Sequence, residues 1–432
     1  MKHVDEWRDP TLLRALAERI ARETTRPWTL LEVCGGQTHA FVRFGLLDLL
    51  PPTITMVHGP GCPVCVTPLE VLERARRIAL RPEVILCTYG DMLRVPGVHG
   101  DLLSARADGA DVRVVSSPLE ALDLARRSPH RVVVFLAVGF ETTAPATAAL
   151  IELADREALT NLHVLTAHVR VPPALEALFA NHSADVNVNV NVDANANANV
   201  DANADADANA NANANTNANT NADVDAIAST SASPLDADAP RIHGLLAAGH
   251  VCTIEGTDVY APLAERFGIP IVVTGFEPVD LLRGVLACMR RLERGETGVE
   301  NAYARIVRPE GNPLARAAVD RVFAVADVPW RGFGVLPGGG LAIRERFAAH
   351  DATRHFTLPL LDGANEPIRE PTSCRAADVL RGRLRPLDCP ELGRRCTPET
   401  PLGAPMVSSE GACAAYFSRR RAHALVPDGA TT

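Results

Sequence analysis

Eight short runs of β-branched and apolar residues, separated by longer helical patterns, constrain this chain more than any other feature of it. The candidate strands are Thr29–Val33, Thr53–Val57, Glu83–Cys87, Val112–Val115, Arg131–Ala137, His163–Thr166, Ile242–Leu246 and Ile269–Val273. Such alternation reads as parallel sheets joined by helical crossovers, an α/β fold. Two similar α/β domains are expected, 27–129 and 130–285, because Ser128-Pro129 looks like a break. A helical segment would precede them at 1–26. A smaller, looser domain would follow at 286–432, where Pro, Gly and Arg are dense and four cysteines fall within Cys374–Cys413. Thr67-Pro68-Leu69-Glu70 and Ser117-Pro118-Leu119-Glu120 each read as a helix start, with a cap residue, Pro at N1 and Glu at N3.

The segment 184–240 is different. It repeats Asn, Ala, Asp and Val and holds no aromatic residue, so it cannot offset the entropy of ordering itself. It reads as a disordered insertion with no secondary structure. Its nine Asp account for the whole formal net charge of −9, and the rest of the 432-residue chain is balanced. That balance, with aromatics at only 4%, argues against a nucleic-acid surface. No apolar run approaches the roughly 18 residues of a membrane span, and the charged stretch Met1–Pro10 lacks a signal-peptide core. A cytoplasmic protein with no membrane partner is the expectation. In that compartment ten cysteines point to metal or redox chemistry more than to structural disulfides.

In open parallel sheets ligands bind beyond the carboxyl ends of the strands, and the unusual residues collect there. Cys62-Pro63-Val64-Cys65, just before an expected helix, reads as a redox-active dithiol whose thiolate the helix dipole favours. Half of a zinc site is the lesser reading, since no second C-x-x-C completes it. Cys34, in a glycine-bearing turn with His39 nearby, suits iron, zinc or copper, although small buried cysteines at turns are common. Glu141 at a strand end could donate or accept a proton, with Thr143 capping the helix behind it. His168, His250, Asp91 and Glu277 occupy similar ends, and each also reads as an ordinary core or loop residue. The last four cysteines have the spacing C-x14-C-x6-C-x16-C, which leaves zinc and a [4Fe–4S] cluster both open.

Taken together these motifs resemble the HypD family of hydrogenase maturation factors. The matching stretches are Glu32-Val33-Cys34-Gly35-Gly36-Gln37-Thr38-His39, Gly59-Pro60-Gly61-Cys62-Pro63-Val64-Cys65, Gly139-Phe140-Glu141-Thr142-Thr143 and Gly275-Phe276-Glu277-Pro278. Arg308-Pro309-Glu310-Gly311-Asn312, Trp330-Arg331-Gly332 and Val407-Ser408-Ser409-Glu410-Gly411-Ala412-Cys413 match too.

The resemblance implies two α/β domains, a C-terminal iron–sulfur domain, and a part in building the Fe(CN)2CO group of [NiFe]-hydrogenases. It implies a HypC-type chaperone and a HypE-type cyanide donor as partners, with the hydrogenase large-subunit precursor served indirectly. By resemblance Cys374, Cys389, Cys396 and Cys413 would hold a [4Fe–4S] cluster. Cys34 would bind the iron under assembly, which also takes up carbon monoxide, and Cys62 and Cys65 would be the redox pair. Glu141 and His250 would line the site. This chain departs from the family at Gln37, where many members carry His, and at Ala248-Gly249-His250-Val251-Cys252, where the family usually reads Pro-Gly-His-Val-Ser. A general iron–sulfur dithiol/disulfide oxidoreductase is the second expectation, and a zinc-stapled interaction protein the third.

Overall fold

The computed structural model describes residues 5–190, 241–357 and 373–425. All eight expected strands are present, with ends shifted by no more than two residues, and all lie in parallel sheets. The first sheet contains β1 (Trp28–Glu32), β2 (Ile54–His58), β7 (Gly244–Ala248), β8 (Pro270–Thr274) and β9 (Gly298–Asn301), in the order β2-β1-β7-β8-β9. The second contains β3 (Val84–Thr88), β4 (Asp111–Val114), β5 (Val132–Gly139) and β6 (Leu162–His168), in the order β4-β3-β5-β6. Strands β3, β7 and β8 are buried along their whole length, as strands covered on both faces must be.

The strands are not shared out by the expected halves. The chain lays down two strands of the first sheet, builds all of the second, then returns to insert β7 between β1 and β8, where Leu30 pairs with Gly244. A division at Ser128-Pro129 therefore separates β4 from β5 within one sheet. The expected start of a third domain at 286 also falls inside a helix, Pro278–Arg294, whose apolar face packs on the first sheet until Gly295 ends it at φ +67°. Sequence periodicity shows where strands are, but not which neighbour each one pairs with.

One continuous core lies between the sheets, with Leu31, Val57, Leu245 and Ile271 from the first meeting Leu86, Val134, Leu136 and Leu165 from the second. The helices Pro10–Glu23 and Pro278–Arg294 close the outer face of the first sheet. An antiparallel pair, β10 (Phe323–Trp330) and β11 (Gly334–Ile343), helps cover the second. Ser117 forms the expected capping box with Glu120. At the other expected box the helix starts at Leu69 with Pro68 as cap, and the Thr67 hydroxyl instead donates back to the Pro63 carbonyl at 2.8 Å.

Most of the 184–240 segment lies outside the described residues. Its first residues do not behave as expected, because the helix Val171–Val190 runs on into it. Once a helix is nucleated by packed residues such as Ala174, Leu175 and Leu178, each further residue adds a bond at little cost.

Candidate functional site

Cys34 follows β1 and caps the helix Gly35–Arg43 in an extended conformation, φ −148°. Two loops meet there. Gly35 N–H donates to the Gly61 carbonyl at 2.8 Å, and Gly59 N–H to the Glu32 carbonyl at 2.7 Å. A Cβ on Gly61 would lie 2.3 Å from the Cys34 nitrogen, so glycine is what lets the C-x-x-C loop lie against the Cys34 turn. The buried Cys34 sulfur is 3.6 Å from His250 Nδ1, and the Phe276 ring lies beside that imidazole with centroids 5.3 Å apart. Burial, with the Glu32 carboxylate second, pushes the Cys34 thiol well up, and burial pulls His250 down to about 4. The pair at rest is a neutral thiol beside a neutral imidazole. A cation that displaces the thiol proton would be needed to hold the sulfur as thiolate.

His39, the expected imidazole partner, faces elsewhere. Its Nδ1 lies 3.2 Å from the Ser409 carbonyl oxygen. Cys34 is the cap and His39 is the fifth residue of the helix, so the two do not share a face. His250, distant in sequence, supplies the ring beside the thiol. Gln37 donates from Nε2 to the Ala247 and Thr274 carbonyls, each at 3.2 Å, and so ties together the ends of β7 and β8.

Cys62 and Cys65 form a buried disulfide with Cα atoms 5.2 Å apart. It spans a short helix, Pro63–Val66, with Cys62 as its cap. The pair stands here in the disulfide form, one of the two states of the expected redox pair. The Arg331 N–H donates to the Val66 carbonyl at 2.8 Å, and Trp330 stacks on Phe140, so the Trp330-Arg331-Gly332 turn backs this loop.

Glu141 is buried and accepts the Val171 N–H through Oε1 at 2.8 Å, while its Oε2 has no hydrogen-bond partner. Burial pushes it up to about 7. It lines a cavity of 360 Å³ with Arg170, Glu255, Arg316 and Asp320. Glu255 ends the helix Gly249–Glu255, whose second residue is His250, so one short helix joins the two places. Thr143 sits at the cap position of its helix, but its hydroxyl bonds the Phe140 carbonyl. His168 is buried against the Thr147 hydroxyl at 3.0 Å and pulled down to about 4 by burial. Asp91 accepts from the Ser408 hydroxyl at 2.7 Å, and Glu277 pairs with Arg8 at 2.5 Å. Cys252 is buried and pushed up to about 12, chiefly by burial.

Cys374, Cys389, Cys396 and Cys413 line one cavity with Val379, Leu392 and Met406. Its packed surroundings push the Cys413 thiol well up, and the other three sulfurs push it further. Among the described residues no three His, Cys, Asp or Glu side chains converge closely enough to hold one metal ion.

Under the Cys34 turn lies a buried network to which sequence reasoning gave no role. Glu32 Oε2 accepts the Cys34 N–H at 2.9 Å, and its Oε1 accepts the Thr38 hydroxyl and lies 2.6 Å from His58 Nδ1. His58 Nε2 is 2.8 Å from the Tyr416 hydroxyl. A carboxylate and an imidazole closing two otherwise largely apolar strands are the signal that could have found it.

These features define an α/β protein with two parallel sheets and cysteine-bearing loops at the carboxyl ends of their strands. A family model named HypD, described as "Hydrogenase formation hypA family", matches residues 11–197 and 195–420. The chain belongs to that family of hydrogenase maturation factors. It is 42% identical over 425 residues to hydrogenase maturation factor HypD of Azotobacter vinelandii, covering 98% of this chain and 97% of the relative. It is 43% identical to hydrogenase expression/formation protein HupD of Azotobacter chroococcum mcd 1, with the same coverage. It is 37% identical over 429 residues to HypD of Escherichia coli K12, covering 98% and 99%.

Proposed function

We propose that this chain holds an iron ion at Cys34 while cyanide and carbon monoxide are added to it, working with a HypC-type chaperone and a HypE-type cyanide donor in the cytoplasm. The observation that carries this reading is the contact between the Cys34–His250 pair and the Cys62–Cys65 loop, hydrogen-bonded through Gly35 and Gly61. A soft thiolate beside an imidazole suits ferrous iron, and the surrounding loops exclude water from it. Cyanide carried as a thiocyanate needs two electrons to leave as cyanide and a thiolate. Oxidation of the Cys62/Cys65 dithiol to the disulfide yields those two electrons and two protons. A disulfide in a reducing compartment is usually a working one. Among the described residues no helix is long and apolar enough to cross a membrane.

The four cysteines around one cavity are the residues that would hold a [4Fe–4S] cluster. Four thiolates are the ligand set that such a cluster takes, one at each iron. Bound there, it would supply electrons one at a time. Glu141 and His250 are the groups able to take and return protons nearby, His250 at the thiol and Glu141 from its cavity.

The deciding experiment is an infrared spectrum of anaerobically purified protein, co-expressed with the chaperone and the cyanide donor. Metal–cyanide and metal–carbonyl bands that vanish in Cys34→Ala are expected. An empty spectrum from a protein that still cycles Cys62–Cys65 would replace this reading with a general dithiol/disulfide oxidoreductase.

A further inference from the structure

The buried chain Glu32–His58–Tyr416 joins two parts of the molecule that its sequence keeps far apart. Tyr416 lies on the helix Ala412–Leu425, one turn after Cys413, whose side chain lines the four-cysteine cavity. Its hydroxyl meets His58 Nε2 at 2.8 Å. His58 Nδ1 meets Glu32 Oε1 at 2.6 Å, and Glu32 Oε2 receives the backbone N–H of Cys34 at 2.9 Å. All four residues are buried, so no water competes for these bonds. A carboxylate can only accept, so His58 Nδ1–H donates to Glu32, while the Tyr416 hydroxyl can pair with Nε2 as donor or acceptor. The same helix region also presses on the turn directly, since a Cβ on Gly35 would lie 2.4 Å from the Glu410 carbonyl oxygen.

We propose that Tyr416, His58 and Glu32 are positioning residues that make the presentation of the Cys34 thiol depend on the state of the four-cysteine module. When that module is properly seated, Tyr416 holds His58, His58 orients the Glu32 carboxylate, and the carboxylate fixes the Cys34 amide and hence its sulfur. When it is not, the turn loosens. The consequence is an order of assembly: the four cysteines are filled before Cys34 is offered to iron. This inference rests on the proposed function for its meaning, but not for its test.

The test is the rate at which iodoacetamide alkylates Cys34 in the full-length chain, followed anaerobically by mass spectrometry with Cys87 and Cys288 as internal controls. Both controls are buried in the sheet cores, away from the chain of bonds. It is run on protein with iron–sulfur loaded into the four cysteines and on protein stripped of iron. In the natural sequence, stripping should raise Cys34 alkylation about tenfold while the controls hold steady, the scale expected for loss of one buried hydrogen bond. Tyr416→Phe keeps the ring beside His58 and removes only the hydroxyl. It should show the fast Cys34 rate in both states, so the dependence on loading disappears. His58→Gln serves the same purpose if Tyr416→Phe does not fold. Equal Cys34 rates in loaded and stripped natural protein would overturn the proposal, as would a rise shared by Cys87 and Cys288, which marks general loosening. Neither result touches the infrared test of iron binding, which can fail or succeed separately.

Discussion

At the scale of single residues, the site depends on a glycine as much as on its cysteines. Gly61 has no room for a Cβ against the Cys34 backbone. Gly61→Ala is expected to cost about 1–3 kcal/mol through overpacking, read as a lower urea midpoint, and to disturb Cys34 more than the distant cysteines. Glu141 carries a second expectation. Burial raises its carboxyl from the ordinary 4.5 to about 7, so its stabilising contribution is complete below pH 4.5 and is lost as pH rises through 7. Glu141→Gln, which keeps an acceptor for Val171 N–H, should flatten urea stability across that window and leave the variant the more stable at pH 8. A slope equal to that of the natural protein would show that another group is responsible. The residue types of the candidate site were legible in the sequence because Cys, His and Glu collect together at successive strand ends, although each alone has an ordinary reading. Their partners were not, because which imidazole meets Cys34 depends on the distance between β1 and the helix after β7. Sequence proximity suggested His39, and the fold supplied His250 instead.

At the scale of elements, the strand pattern was readable and the pairing was not. Period and β-branching mark each strand locally, whereas the insertion of β7 beside β1 is a long-range choice with no local trace. Strands β9 and β11 escaped notice because the first, Gly298–Asn301, is short and the second, Gly334–Ile343, is rich in glycine. One element edge carries its own titration. His163, near the start of β6, stacks on His355 of the helix Ala352–His355 with centroids 3.8 Å apart. Burial, and then His355, pulls His163 down to about 4 from 6.5. The unfolded chain therefore takes up this proton before the native one does, and the stability present above pH 6.5 is lost as pH falls toward 4. Amide exchange in β6 and the helix should quicken over that range, by up to about 2–3 kcal/mol in opening free energy. His163→Phe should remove the effect, and an unchanged pH dependence in that variant would assign it elsewhere.

At the scale of the whole molecule, the double passage between sheets ties the two units into one folding problem. A fragment ending at residue 129 would contain β1 and β2 without β7, and β3 and β4 without β5. It is expected to be unfolded by circular dichroism, even though its local pattern looks like a complete α/β unit, because its central pairings come from later in the chain. A folded fragment would mean that the sheets are more independent than their shared core implies. The return path has a practical side. The described chain stops at Val190 and resumes at Arg241, which borders a cavity with Arg26, Trp28 and Pro270 at the amino ends of β1, β7 and β8. Cys34 and His250 lie at the carboxyl ends of those strands, a strand length of about 17 Å away. Foreign sequence grafted at this point, whether a fluorescent reporter, an affinity handle or a new pair of termini, would hang from the ends of these strands opposite Cys34 and His250.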